Sequence, residues 1–486
     1  MLNSQSLARR AGFAVLLTIG FYLLALAMTA LLLWLPYAEW TYGGSLHIKL
    51  LLFCVIGAGV IIWSIIPRFD RFTPPGPRLL QMDQPELFSV LGGVASEMGQ
   101  EMPAEVYAIG ELNAWVMDRG GIMGFGSRRV MGLGLPLLQV LNVSQARGVI
   151  AHEFGHFYGG DTKLGPWIFK TRSAIIRTLI GLSGHGSMLQ KPFIWYGNAF
   201  MRITQTISRG QEFTADRMAA GIVGNKAMID GLQVIHGAGA MFDAYWRNEY
   251  APALSTGFCP PFADGFARFL TAPRISDAMS KIVNAEMESG ETDLYDSHPS
   301  LRDRISALRL VEVNKEEDTN PALSLLSGLE SLEVSFLSAI TDPDTTGKIQ
   351  PISWEQVGGK VWFPIWQHHV DTHKEVLQNI RLHALPEILS DPESKRRLLS
   401  GTAETEENAQ NAFLEGLIGA AIAVILVGKG WQLNATPGND VLLNQEGFVF
   451  SPFTAVRQLL AGDSSNAWEK LCASMDGDPI LGTIPG

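Results

Sequence analysis

The chain has few cysteines: Cys54, Cys259 and Cys472 are the three among its 486 residues, and they lie far apart. Such a set provides neither a disulfide framework nor a cysteine-based metal site, so a reducing compartment is the simpler setting. The chain also lacks a basic surplus, since 37 lysines and arginines face 48 acidic residues and the formal net charge is -11. Because nucleic-acid binding needs positive charge to neutralise phosphates, we expect no nucleic-acid partner.

Two long stretches lack charged side chains altogether, one from Ala11 to Leu35 and one from Leu50 to Ile66. Each is apolar and of a length suited to crossing a bilayer, and the mean hydropathy of the chain is +0.14. The first stretch is too long for a signal peptide, which has a shorter apolar core and a small-residue cleavage site. We therefore predict a transmembrane hairpin and a lipid bilayer as partner. The alternative is a pair of buried helices in a soluble protein.

The charges around this hairpin predict its orientation, because lysine and arginine favour the cytoplasmic side of a span. The connecting loop carries Glu39 opposed by Lys49, whereas four arginines stand outside the two spans. These are Arg9, Arg10, Arg68 and Arg71. Both ends of the hairpin are thus expected on the cytoplasmic side of the inner membrane, together with everything after residue 72 unless a later span intervenes.

A short motif, His152-Glu153-Phe154-Gly155-His156, carries the chemistry. Residues four apart lie on one face of a helix, so His152 and His156 can bind one metal while Glu153 stands beside the open coordination position. A chance match of this pattern somewhere in the chain is roughly a one-per-cent event. The alternative, a pair of core histidines, would bury three polar groups at a cost of several kcal/mol unless each is paired. Apolar neighbours, a cap at Ser144 and a stop at Gly159-Gly160 predict a helix from about 145 to 158.

A third metal ligand is predicted further along the chain at Glu212. Asp216 follows four residues later on the same helical face, where it can accept a hydrogen bond from a ligand imidazole and fix its tautomer. The alternative for both carboxylates is a solvated helix face. Together with the upstream motif they predict one hydrolytic Zn²⁺ site per chain.

Short strands are predicted upstream of the metal motif, at 105–109 and 129–133, between helices at 85–98 and 135–141. A peptide can pair with an exposed sheet edge and be held extended over a metal by main-chain hydrogen bonds. This arrangement favours protein or peptide substrates.

Two apolar segments, 174–182 and 193–203, are interrupted by Arg177 and Arg202 and are too short for clear membrane spans. Helices lying at the membrane surface, or packed on the catalytic core, fit them better. After residue 312 the sequence predicts helices at 324–340 and 375–389 and an apolar run at 417–427, too short to span comfortably. His369 and His373 are four apart, but with only Asp371 nearby a helix face is favoured over a second metal site.

Several of these motifs together resemble the HtpX and CAAX-prenyl-protease family of membrane zinc endopeptidases. They are the two N-terminal spans, Asn-Ala-Trp-Val at 113–116, HEFGH followed by Gly-Gly-Asp161, SRxxExxAD at 208–216, and His298-Pro299-Ser300-Leu301 with Arg302 and Arg304. The resemblance runs to about residue 310. It departs at 165–207, where related chains carry a more hydrophobic hairpin.

The resemblance implies roles for individual residues. Zinc would be bound by His152, His156 and Glu212, Glu153 would activate water, and Asp216 would support a ligand histidine. His298 with Arg302 or Arg304 would stabilise the oxyanion or position substrate, and Asn113 would lie beside the substrate strand. Misfolded or membrane proteins are the substrates that the family leads us to expect.

The expected fold is mainly α with a small β-sheet. It comprises a transmembrane hairpin over 1–72, a zincin-like metalloprotease domain over 73–312 and a mostly helical C-terminal extension of unassigned role over 313–486. Glu153 would be the general base of a zinc endopeptidase. The alternatives are a membrane-anchored scaffold with a vestigial site, and a zinc hydrolase of non-peptide amides.

Overall fold

The computed structural model describes residues 4–44, 46–66, 72–120, 126–157, 165–184, 187–290, 298–340, 349–399, 406–463, 466–475 and 477–483. The described chain forms two compact units. The first contains Met1–Gly237 and Lys281–Ile340, and the second contains Ala238–Ser280 and Thr341–Gly486. The predicted fold class is confirmed: the chain is mainly helical, with small sheets, an N-terminal pair of apolar helices and a helical C-terminal region. The predicted division into three domains, at residues 72 and 312, stays a prediction.

The N-terminal hairpin consists of α1 (Ser4–Gly43) and α2 (Ile48–Ile65). Both are long and apolar enough to cross a membrane, over Val15–Gly43 and Ile48–Ile65. Phe21, Cys54 and Ile61 are buried between helices, whereas most of the remaining apolar surface is exposed, as lipid contact requires. The side chains of Arg9 and Arg10, and residues 67–71, lie outside the described residues.

The two segments with interrupting arginines form α6 (Gly165–Gly181) and α7 (Ser187–Val223). Neither predicted arrangement describes them fully, because α6 and the first half of α7 pack on the N-terminal hairpin in one apolar cluster. Arg177 is accommodated there because its Nε and Nη2 donate to the carbonyl oxygen of Ser64, at 3.1 and 2.9 Å, near the end of α2. Such carbonyl groups lack a partner within their own helix.

A four-stranded sheet in the first unit has the order β1-β2-β4-β3, so β3 forms one edge. Its strands are β1 (Arg78–Leu79), β2 (Glu105–Ile109), β3 (Ala114–Arg119) and β4 (Arg128–Gly134). β2 and β4 are parallel, and β3 is antiparallel to β4 with Val116 opposite Met131. Both predicted strands are present. The other helices that begin in or belong to this unit are α3 (Pro85–Glu97), α4 (Leu135–Val140), α5 (Val143–Gly155), α8 (Asn225–Tyr245), α12 (Leu301–Leu308) and α13 (Leu329–Ile340).

A strap of residues 313–327, which includes a 3₁₀ turn at Ala322–Leu325, crosses the start of α5. The N–H groups of Val143 and Ser144 donate to the carbonyl oxygens of Asn320 (2.9 Å) and Asp318 (3.1 Å), and Ala322 N–H donates to Leu141 (2.9 Å). The first N–H groups of a helix have no partner within it, so the strap satisfies donors that α5 leaves open. Residues 313–340 are therefore part of the first unit.

The second unit joins an internal segment to the C-terminal part of the chain. In the internal segment, the Tyr245 ring packs with Phe262 and Phe266. It also packs with Trp354, whose indole Nε1 donates to the carbonyl oxygen of Pro261 at 2.9 Å. Its helices are α9 (Ala251–Ser255), α10 (Phe262–Thr271), α11 (Pro273–Ser289, which continues into the first unit), α14 (Trp354–Val357), α15 (Phe363–Thr372), α16 (Lys374–Leu377), α17 (Leu385–Ser390), α18 (Pro392–Leu398), α19 (Glu407–Gly428), α20 (Pro452–Leu460) and α21 (Asn466–Ser474). Its strands are β5 (Phe258–Cys259), β6 (Gln350–Pro351), β7 (Gln432–Asn434), β8 (Leu442–Gln445) and β9 (Phe448–Phe450).

The apolar run at 417–427 lies within α19, at the centre of this unit. By length and composition α19 also suffices to cross a membrane, but 61% of its most apolar window is buried inside the structure, against 28% and 33% for α1 and α2. Consecutive residues from Leu417 to Leu426 are buried, hence on all sides of the helix. The predicted helix at 375–389 is wrong as a single element, because α16, a 3₁₀ turn and α17 divide it.

Candidate metal centre

Helix α5 carries the predicted metal motif and begins at a capping box. The side chain of Asn142 accepts a hydrogen bond from Gln145 N–H at 2.8 Å, and Gln145 Oε1 accepts one from Asn142 N–H at 3.0 Å. The predicted cap at Ser144 is wrong, because its hydroxyl instead accepts a hydrogen bond from Asp318 N–H at 2.8 Å. The helix ends at Gly155, three residues before the predicted end, with His156 as its C-cap. Gly159, Gly160 and Asp161 lie outside the described residues.

Gly155 lets α7 approach the motif closely. A Cβ at this position would lie 3.0 Å from Ala215 Cα and 3.1 Å from Ala215 Cβ, closer than most real contacts. The absence of a side chain therefore brings the C-terminal half of α7 against α5. This contact places Glu212 and Asp216, both buried, beside the two histidines.

The three side chains predicted to bind the metal converge on one point. His152 Nε2 lies 3.2 Å from His156 Nε2, and the two carboxylate oxygens of Glu212 each lie 3.5 Å from one of these nitrogens. Tetrahedral zinc with bonds of about 2.0–2.1 Å would hold its ligand atoms about 3.3 Å apart. The spacing and the N, N, O donor set therefore fit zinc.

Asp216 and Arg304 extend this arrangement away from the metal position. Asp216 Oδ1 lies 2.8 Å from His152 Nδ1, and Arg304 donates to both Asp216 oxygens, through Nε at 2.8 Å and Nη2 at 2.6 Å. Burial favours the neutral form of Asp216, but hydrogen bonds from Arg304 and His152 outweigh it and hold its pKa below the ordinary value. Asp216 therefore stays ionised and orients His152 with Nε2 toward Glu212.

The imidazoles differ in their protonation. Burial disfavours the charged form of His152, but hydrogen bonds to Asp216 and Glu212 outweigh it and raise its pKa to about 9. Burial, together with the nearby His152, lowers the pKa of His156 to about 4. Glu212 is kept ionised because hydrogen bonds from His152 and His298 overcome burial and lower its pKa. A cation can replace the proton held between these groups.

Glu153 lies beside the ligands and the edge strand. One carboxylate oxygen of Glu153 and one nitrogen from each of His152 and His156 lie within 4.8 Å of one another. Burial raises the pKa of Glu153 to about 7, while the main-chain N–H of Val116 on β3 donates a hydrogen bond to its carboxylate. A carboxylate whose pKa is near neutrality is suited to accept and return a proton.

The chain was compared with known proteins. The family model described as "Peptidase family M48" matches residues 81–312, which include all of these groups. Residues 81–312 are therefore similar to peptidase family M48. Among curated relatives, Protease HtpX of Idiomarina loihiensis is 26% identical over 211 residues, 38% of this chain and 71% of the relative. Protease HtpX of Serratia proteamaculans is 27% identical over 241 residues (44% and 69%), and the Protease HtpX homolog of Thermococcus sibiricus is 24% identical over 268 (49% and 77%). No solved structure matches significantly.

The remaining predicted residues occupy different positions around the M48 motif. His298 Nδ1 lies 3.0 Å from Glu212 Oε2, and the His298 side chain is 60% exposed. Arg304 Nη1 lies 3.9 Å from the same oxygen, but its hydrogen bonds go to Asp216. Arg302 donates to the carbonyl oxygen of Glu288 at 3.3 Å. Asn113 precedes β3, is exposed, and accepts a hydrogen bond from Gly134 N–H at 2.9 Å through its carbonyl oxygen.

Sequence reasoning missed three contributors to this site: Asn142, Gly155 and the N–H of Val116. An Asn three residues before a Gln is a recognisable capping signal, and a glycine inside a helix motif signals close approach. The main-chain group at Val116 leaves no trace in sequence. In the described part of the chain, His369 and His373 join no group of three metal-ligating side chains; both rings pack on Phe413.

Proposed function

We propose that this M48-family chain is a zinc-dependent endopeptidase anchored in the membrane. The observation that carries the proposal is the convergence of His152, His156 and Glu212 at zinc-ligand spacing, with the Glu153 carboxylate beside them. Zinc bound there would supply Lewis acidity, which acidifies water and polarises a peptide carbonyl.

Glu153 is the general base in this mechanism. Its carboxylate takes a proton from water as the water oxygen bonds to the peptide carbonyl carbon. It then delivers that proton to the peptide nitrogen as the C–N bond breaks, which releases the amine and leaves the carboxyl product. Burial keeps its pKa near 7, so both transfers are accessible at neutral pH.

The peptide would lie along β3. This strand forms the sheet edge, and its main-chain N–H at Val116 already reaches Glu153. Main-chain pairing with an edge strand holds a peptide extended without regard to its sequence. Asn113, exposed at the start of β3, would contact the same peptide.

His298, Arg304 and Arg302 receive different roles. His298 is exposed beside Glu212 and would face the reacting carbonyl, where a donor stabilises developing negative charge. Arg304 would act through Asp216 as a positioning residue. Arg302 would contribute to substrate position only at the periphery.

The proposed location is the inner membrane, with the hairpin spanning the bilayer and the protease on the cytoplasmic side. Two apolar helices of spanning length and the flanking arginines support this topology. Misfolded or membrane proteins are the proposed substrates, supported by the resemblance to HtpX-like proteases and by the bilayer location.

The test compares detergent-purified wild type with Glu153→Gln for zinc content and for cleavage of casein, with chelation and zinc add-back. We expect about one zinc per chain in both and cleavage only by the wild type. His152→Ala should lose the zinc. If the wild type binds zinc and cuts neither casein nor membrane-protein substrates, a scaffold or a non-peptide amidase replaces the protease.

A further inference from the structure

Helix α7 belongs both to the membrane helices and to the metal centre. It runs without interruption from Ser187 to Val223, a length of about 55 Å. Its first half packs on the transmembrane hairpin, and its second half carries Glu212 and Asp216. Tyr196 and Glu212 are separated by about 24 Å along the helix axis.

The contact with the hairpin is close. Tyr196 Oη donates to the carbonyl oxygen of Leu17 on α1 at 2.5 Å, and the buried Phe193 ring meets Phe21 edge to face at 6.4 Å. Gly20 of α1 lies under the Tyr196 ring: a Cβ there would overlap the hydroxyl oxygen, and the next nearest atom, Cζ, would be 3.4 Å away. A methyl group at residue 20 would therefore displace the hydroxyl end of the Tyr196 side chain, which holds α7 to α1.

The three metal ligands are divided between two helices that are held differently. His152 and His156 stand on α5, which is fixed by its capping box and by the strap. Glu212 stands on α7, which is fixed at its other end by α1. Since metal–ligand distances must hold to about 0.2 Å, a small shift of α7 against α5 changes the site.

We propose that the transmembrane hairpin sets the position of the third metal ligand through α7, with Gly20 and Tyr196 as positioning residues. The hairpin is then part of the scaffold of the metal centre as well as an anchor. The inference rests on the proposed zinc function. A continuous helix is a physical connection able to carry such coupling, because its hydrogen-bonded backbone resists compression and bending.

The test uses four variants of the full chain in detergent: Gly20→Ala, Tyr196→Phe, the two combined, and Gly12→Ala. Gly12 is the matched control, because it lies on α1 with no atom within 4 Å of an added Cβ. Zinc affinity is measured by chelator competition, and ligand geometry by the visible spectrum of the Co²⁺-loaded protein. Hydrogen exchange over 208–216 reports on α7 without any metal.

We expect Gly20→Ala to weaken zinc binding roughly three- to tenfold, alter the Co²⁺ spectrum and speed exchange over 208–216. Gly12→Ala should match the wild type. Removing the hydroxyl clears the overlap but also removes the hydrogen bond to Leu17, so the combined variant should show the affinity and spectrum of Tyr196→Phe alone.

The inference is overturned if Gly20→Ala binds zinc as tightly as Gly12→Ala, whether both match the wild type or both bind more weakly to the same extent. If Gly20→Ala does not fold, Tyr196→Phe is compared with Tyr42→Phe, since Tyr42 is 83% exposed. Exchange over 208–216 that is the same in both variants then overturns the inference. A wild type that binds no zinc refutes the proposed function instead, while the exchange measurement still tests the connection through α7.

Discussion

At the scale of single residues, Arg304 and Arg302 separate two roles that look equivalent in sequence. Arg304→Gln leaves the buried Asp216 carboxylate without its bidentate partner, so we expect a loss of about 3 kcal/mol in the free energy of unfolding and weaker zinc binding. Arg304→Lys keeps the charge but cannot form the two parallel hydrogen bonds to Asp216, so its stability and zinc affinity should lie between those of the wild type and Arg304→Gln. Denaturant unfolding and chelator competition measure both quantities.

Arg302→Gln is the matched control, since Arg302 donates to a single carbonyl oxygen, that of Glu288. It should change stability by less than about 0.5 kcal/mol. A larger effect of Arg302→Gln than of Arg304→Gln would contradict the positioning role of Arg304.

Glu249 makes the second unit sensitive to pH. Burial raises its pKa to about 7. The hydrogen bond from Gly438 N–H, at 3.1 Å, lowers the pKa but offsets only part of this effect. The unfolded chain releases this proton near pH 4.5 and the folded chain near pH 7, so stability falls as pH rises through that window, by up to ~3 kcal/mol. Glu249→Gln should remove this fall and be more stable than wild type at pH 8. Unfolding midpoints from pH 4 to 8 measure it.

The exposed Asp243→Asn serves as control and should keep the pH dependence of the wild type. A Glu249→Gln protein that loses stability between pH 4 and 8 as steeply as the wild type would exclude Glu249 as the source.

At the scale of elements, the cap of α5 fixes where the metal helix begins. Asn142→Ala removes the acceptor of Gln145 N–H and should cost about 1 kcal/mol of unfolding free energy, whereas Asn142→Asp keeps an acceptor and should cost little. Hydrogen exchange of the Gln145 amide and denaturant unfolding are the measurements. If Asn142→Ala costs as little stability as Asn142→Asp, the cap adds nothing and the strap alone holds the start of the helix.

Elements with a strong internal pattern were predictable. The apolar helices α1 and α2, and also α3 and α5, follow from hydropathy and period, and β2 and β4 from short apolar runs. Segments whose pattern does not indicate what they pack against were not predictable. Helices α6 and α7 were expected at the membrane surface or on the catalytic core, but α6 packs on the N-terminal hairpin, where Arg177 donates to the carbonyl oxygen of Ser64 on α2. The run at 375–389 looked like one helix but is divided, because tertiary contacts override weak local preference.

At the scale of the whole molecule, the end of the metal-binding unit lies beyond the family match. A chain ending after residue 312 loses the strap, which leaves the N–H groups of Val143 and Ser144 without their acceptors. We expect it to retain much less zinc than a chain ending after residue 340. Zinc content after purification in detergent measures this, and equal retention would contradict the structural role of the strap.

Both truncated chains also lose Trp354, which packs against Tyr245 from the internal segment. The aromatic surface uncovered in this way should bind a hydrophobic dye, whereas the full chain should not.

The sequence by itself determined the features that lie within a single helix. These are two apolar runs of spanning length, and a pair of histidines one turn apart with a glutamate beside them. These are periodicities, so neighbouring residues suffice to reveal them. Only the tertiary structure decided that Arg304 holds Asp216 from 88 residues away, that Asp318 meets Ser144 across 174, and that α19 lies in a core. Such contacts depend on which elements pack together, and packing is selected by the shape and burial of whole surfaces.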